Sequence, residues 1–102
     1  MLVAACGGAL LSDGESQFRG GRYAEARQTL VALEGEAKIW DDAKRAEYAL
    51  YRGLTHAAMN ERAAANVWLN EARAIEGAHP GSLSTDGDIQ RLRAALRAID
   101  PP

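Results

Sequence analysis

The chain has 102 residues, with 12 basic against 14 acidic side chains and a formal charge of -2. That length bounds it to one small domain, and the near-neutral balance lacks the clustered basic face that nucleic-acid binding needs. At 47% hydrophobic and 25% charged, its composition is that of a folded domain rather than a disordered one. Alanine dominates the apolar fraction, β-branched residues are scarce, and prolines occur only at positions 80, 101 and 102. Strands favour β-branched and aromatic side chains, whereas Ala, Leu, Arg and Glu favour helices, so the expectation is an all-α fold.

The single cysteine, Cys6, excludes an internal disulfide and a cysteine-cluster metal site. It ends the run Val3-Ala4-Ala5-Cys6, an apolar stretch closing on small residues. The run resembles the bacterial lipobox, in which the cysteine becomes the lipidated N-terminus. The resemblance implies a lipid anchor at Cys6 and a periplasmic, envelope-facing location, with a cytoplasmic chain as the alternative. Residues 1–9 would then be a signal remnant and flexible lead, 10–99 the folded domain and 100–102 a tail. No basic n-region or full apolar core precedes Cys6, so this reading requires a start upstream of Met1; otherwise the thiol is an ordinary one.

In chain order, Ser12-Asp13-Gly14-Glu15 has the spacing of a capping box and predicts a short helix to Phe18 or Arg19, stopped by Gly20-Gly21. Tyr23, Ala26, Leu30, Leu33 and Ala37 recur at helical spacing, which predicts a second helix with Gly35 near its frayed end. Asp41-Asp42 suits the N-terminus of a third helix, whose stripe reads Ala43, Ala46, Leu50, Leu54 and Ala57, closed by Asn60. Gly53 inside that stripe predicts close approach of a neighbouring helix. A fourth helix spans about 62–76, with Ala64, Ala65, Trp68, Leu69, Ala72 and Ile75 on one broad face. The last carries Ile89, Leu92, Leu96 and Ile99 over about 86–99.

The second and fourth helices repeat a pattern. Gly21-x-Tyr23-x-x-Ala26 followed by Leu30 is echoed by Asn60, Arg62, Ala65, Leu69 and Ala72, with Gly53 and His56 in the helix before. This resembles the tetratricopeptide repeat, with Gly21 and Asn60 39 positions apart against about 34 in that family; the excess is expected in the linker from Glu36 to Asp42. The resemblance implies stacked helical hairpins with residues 86–99 as a terminal cap, and it implies protein or peptide binding. Overall likeness, with no motif to carry it, extends to small repeat-bearing lipoproteins of bacterial envelopes such as those accompanying type VI secretion systems.

No catalytic set is expected. His56 and His79 lack the partners of a metal or general-base motif: His56 reads as a packed, hydrogen-bonded side chain and His79 as a solvated turn residue. Asp41 and Asp42 point in different directions on a helix and make a poor cation cage. Neither glycine pair belongs to a phosphate loop, and no serine sits in a nucleophile elbow. No metal, cofactor, nucleic acid or small-molecule substrate is therefore expected. The expected partner groove is Tyr48, Tyr51, Arg52 and Thr55 on the third helix, with Arg45 nearby, facing an extended peptide or partner helix between the first and third helices. The other expectation is a self-associating structural subunit, joined through the face at residues 10–33.

Overall fold

The computed structural model describes residues 7–99, and every regular element among them is α-helical. The elements are α1 (Gly7–Arg19), α2 (Tyr23–Ala32), α3 (Glu34–Ala37), α4 (Asp42–Ala58), α5 (Arg62–Ala78) and α6 (Asp86–Ile99). The all-α expectation therefore holds. Cys6 and the tail lie outside the described residues.

The helices form two antiparallel pairs, α1 with α2 and α4 with α5. Helix α4 also packs on both members of the first pair, and α6 on both members of the second. The same side-chain joint recurs in each pair. A Cβ on Gly14 would stand 2.6 Å from a methyl of Leu30, and one on Gly53 would stand 2.6 Å from Cγ of Leu69. Glycine at these two sites lets one helix rest directly on a leucine of its partner. Ala26 and Ala65 are completely buried at matching positions, and the intervening turns pass through Gly21 (φ 80°) and Asn60 (φ 62°). Left-handed backbone is open to glycine and tolerated by asparagine, which explains why these two residue types end α1 and α4.

Three sequence expectations need correcting. Helix α1 begins at Gly7, so Ser12 lies inside it rather than at its cap, and Gly7 to Ala9 belong to the helix rather than to a flexible lead. Tertiary packing overrides the capping signal: Leu11, Gly14 and Glu15 face inward while Ser12, Asp13 and Ser16 face solvent. The second helix breaks at Leu33 into α2 and the single turn α3. There the Leu30 carbonyl accepts from the Leu33 amide at 3.1 Å and from the Tyr48 hydroxyl at 2.5 Å, which ends the regular ladder.

The third correction concerns α4. Its stripe was expected on one face, yet Ala46 and all of residues 48–53, 55 and 56 are buried, so the helix is enclosed on nearly every side. Of the expected stripe, Ala46 and Leu50 are buried, Leu54 is half-buried, and Ala43 and Ala57 are exposed. The N-terminus of α4 is as expected: Asp41 accepts from the Lys44 amide at 2.9 Å. Full burial of Leu30, Leu50 and Leu69 contributes roughly 2–3 kcal/mol each. Trp40 and Trp68 stand edge-on to the Tyr48 ring, at centroid separations of 5.8 and 5.6 Å, and close the core around it.

Candidate functional site

The expected groove residues lie inside the protein. Tyr48 is 1% exposed, Tyr51 and Thr55 0%, and Arg52 9%. The cause is that α4 is sandwiched by α1, α2, α5 and α6, so no side of it at these positions is left as an open wall. Truncating these residues removes core contacts and reports on stability rather than on partner capture.

Two of the four, Tyr48 and Arg52, belong to a buried polar joint. The Arg52 guanidinium stacks 4.3 Å from the centroid of the Trp68 ring and donates to Glu34 at 2.6 Å and to the Tyr48 hydroxyl at 3.1 Å. That ion pair holds the Glu34 carboxyl below its ordinary pKa. Arg52 Nε also donates to His56 Nε2 at 3.2 Å, which assigns the ring proton to Nδ1 and lets it donate to Glu61 at 2.8 Å. Arg27 of α2 completes the chain by pairing with Glu61. His56, Arg52 and Tyr48 thus clamp α2, α3 and the start of α5 onto α4; His56 is 5% exposed and hydrogen-bonded. Thr55 turns its hydroxyl onto the Tyr51 carbonyl at 2.7 Å, a local bond within the helix. His79 is exposed and lies 3.4 Å from Asp42 across the α4–α5 ends.

Beside this joint, α3, α4 and α5 border a half-open cavity of about 290 Å³ lined by Tyr48, Trp68 and Ile75 together with Lys38, Arg45 and Glu71. Arg45 is paired there with Asp42 at 3.1 Å and Glu71 at 3.5 Å, so it is not a free cation awaiting a carboxylate.

Tyr51 leads to a different place. Its ring packs edge-on against Phe18 of α1. Its hydroxyl accepts from Arg19 of α1 at 3.0 Å and donates to Asp88 of α6 at 2.9 Å. Burial raises the pKa of this phenol, so it remains a donor at neutral pH. Arg91, one turn on from Asp88, donates to the same carboxylate at 3.1 Å. Glu15 of α1, 6% exposed, accepts weakly from Arg19 at 3.4 Å and lies within hydrogen-bonding reach of Glu47 on α4. Burial, the adjoining Glu47 and, more weakly, Asp88 push its pKa up to about 8. Glu47 and Asp88 also line an open hollow of about 250 Å³ together with Lys44, Leu83 and two loop serines.

The sequence reading offered Glu15 only as part of a capping box and did not single out Glu47 or Asp88. The signal available was positional: each lies on the helix that opens a pair or on the capping helix, and Glu15 shares the inward face with Leu11 and Gly14. It also missed Glu76, whose carboxylate accepts from the Gly81 and Leu83 amides at 2.9 and 2.7 Å and fastens the α5–α6 loop. Those backbone bonds hold the Glu76 carboxyl below its ordinary pKa.

Among the described residues no group of histidine, cysteine or carboxylate side chains has an arrangement able to hold a metal ion, and no helix is long and apolar enough to cross a membrane. Set against protein-family models, curated proteins and solved structures, the chain has no match in any of the three comparisons.

Proposed function

We propose that this chain is a non-catalytic protein-interaction module of tetratricopeptide type, held at a bacterial envelope by a lipid on Cys6. Its partner face is the one shared by α1, α4 and α6. The observation that carries the reading is the repeated packing step: each pair lays a leucine of its second helix on a glycine of its first, and the next helix docks on both. Such units bury their apolar faces only by stacking, which leaves one continuous face for a partner. That face is the one α1, α4 and α6 share, as the resemblance implies; the four residues first expected on it are buried, and Lys44, Glu47, Ser84 and Asp88 line its open hollow instead. The envelope location rests on the lipobox-like run alone, and an accessory role beside a secretion machine rests on overall likeness.

Photo-crosslinking tests the partner face. A crosslinking amino acid at position 44 or 84, beside the hollow, should trap a discrete partner in cells, whereas position 28 or 63 on the outer helices should not. Equal trapping at all four positions refutes the assignment. Mass spectrometry of the membrane fraction, comparing the natural chain with Cys6→Ser, tests the lipid.

A second reading is self-association through the first pair, favoured by the exposure of Tyr23 (37%) and Val31 (41%) on α2. Light scattering across a concentration series separates the two, because a monomer at high concentration removes it.

A further inference from the structure

We infer that the chain pairs with a second copy of itself through the half-open cavity between α3, α4 and α5, each copy setting its Ile39 side chain into the cavity of the other. The inference goes beyond the partner-face reading and stands without it.

Large apolar side chains exposed on a folded domain are ordinarily scattered singly. Here the two most exposed among the described residues gather at one place: Ile39, 87% exposed, and Val67, 62% exposed. Val67 lines the cavity, and Ile39 follows directly on Lys38, which lines it too. Tyr48, Trp68 and Ile75 supply further apolar lining. At about 290 Å³ the cavity has roughly twice the ~150 Å³ that takes up a benzene molecule, ample for the four carbons of an isoleucine side chain. Ile39 does not enter the cavity of its own chain, since it is 87% exposed. An apolar knob beside an apolar hole is self-complementary about a two-fold axis: each copy's knob meets the other's hole, and the contact closes at two chains.

The charges bordering the cavity favour a second copy over a charged ligand. They are balanced, Lys38 and Arg45 against Glu34 and Glu71. Within the chain Glu34 is taken by Arg52, and Arg45 by Asp42 and Glu71, which leaves Lys38 without an ion pair among the described residues. The Glu71 side chain is 46% exposed. Across a two-fold contact, Lys38 of each copy can meet Glu71 of the other, which gives two cross-pairs around two buried isoleucines. From α4, Lys44 and Glu47 line the hollow of the partner face, whereas Arg45, Tyr48 and Ala49 line the cavity. The two openings lie on different sides of α4, so pairing leaves both hollows free and makes the dimer bivalent towards a partner.

The test is sedimentation equilibrium of the full chain under reducing conditions. The contact is small, so a reversible monomer–dimer equilibrium should appear between about 10 μM and 1 mM. Ile39→Ser should raise the dissociation constant about tenfold or more and leave the thermal midpoint unchanged, because so exposed a side chain supports little of the fold. Lys38→Glu and Glu71→Lys each set like charges together at both cross-pairs, and each variant alone should dimerise about tenfold more weakly. A mixture of these two variants restores both pairs and should dimerise as the natural chain does. Isotope-filtered NMR should record contacts from the Ile39 methyls of a labelled protomer to the Trp68 ring of its unlabelled partner. A chain that stays monomeric at every concentration, a dimer indifferent to Ile39→Ser, or a mixture no tighter than its parts overturns the proposal. So does a dimer lost on Val31→Ser, which places the contact on the first helix pair instead. Crosslinking at positions 44 and 84 reads out on monomer and dimer alike, and so decides the partner face separately.

Discussion

The raised pKa of Glu15 makes a quantitative statement about stability. In the unfolded chain its carboxyl titrates near 4.5; in the folded protein it does so near 8, chiefly because burial disfavours its charge and secondly because Glu47 adjoins it. A group whose folded-state pKa is raised contributes stability that is complete below the unfolded value and is lost as pH rises towards the folded one. Each pKa unit corresponds to about 1.4 kcal/mol, so raising the pH from 5 to 7 should remove about 2–3 kcal/mol, with further loss up to pH 8. The lowered pKa values of Glu34, Glu61 and Glu76 act in the opposite sense and only below about pH 4.5. Stability should therefore peak near pH 5. Replacing Glu15 by Gln keeps an acceptor for Arg19 and a donor towards Glu47 but cannot ionise. The variant should match the natural chain at pH 5 and exceed it at pH 7 by about 2 kcal/mol, on the order of 10 °C in melting temperature for a domain of this size. Urea unfolding followed by circular dichroism at constant ionic strength measures both curves. A natural chain that gains stability from pH 5 to 7, or a variant with the same pH slope, refutes the reasoning.

Three further outcomes follow from the packing. Gly53→Ala places a methyl 2.6 Å from Leu69 Cγ and 3.0 Å from its backbone nitrogen; calorimetry should show a loss of roughly 1–3 kcal/mol despite alanine's better helix propensity. Gly14→Ala meets only the movable end of Leu30 and should cost clearly less, so the reverse order would contradict the joint described above. Tyr48→Phe leaves the Leu30 carbonyl and Arg52 short of a partner, and chemical denaturation should register a loss of about 1–3 kcal/mol. Asn60→Gly relieves a positive φ and should be neutral or stabilising by a few tenths of a kcal/mol, whereas Asn60→Ala should destabilise, read as a shift in thermal midpoint.

Fold class and most helix positions were legible because helical periodicity is a local property. Ala26, Leu30 and Leu33 recur at the spacing of one helix face, Asp41 caps α4, and Gly21 and Asn60 occur where left-handed turns are needed. The capping box at Ser12 and the unbroken second helix were misread, because the inward register of Leu11 and Gly14 and the reach of Tyr48 to the Leu30 carbonyl come from other parts of the chain. The amino-acid sequence by itself determined an alanine-rich set of paired helices with glycines where they cross. Only the tertiary structure decided that α4 is wrapped on nearly every side, and that Tyr51 binds across two neighbours rather than facing a ligand. It also decided that Glu47 comes to lie beside the buried Glu15. Burial and charge proximity are sums over residues far apart in the chain, 32 positions for Glu15 and Glu47 and 37 for Tyr51 and Asp88, and no local pattern encodes such a sum.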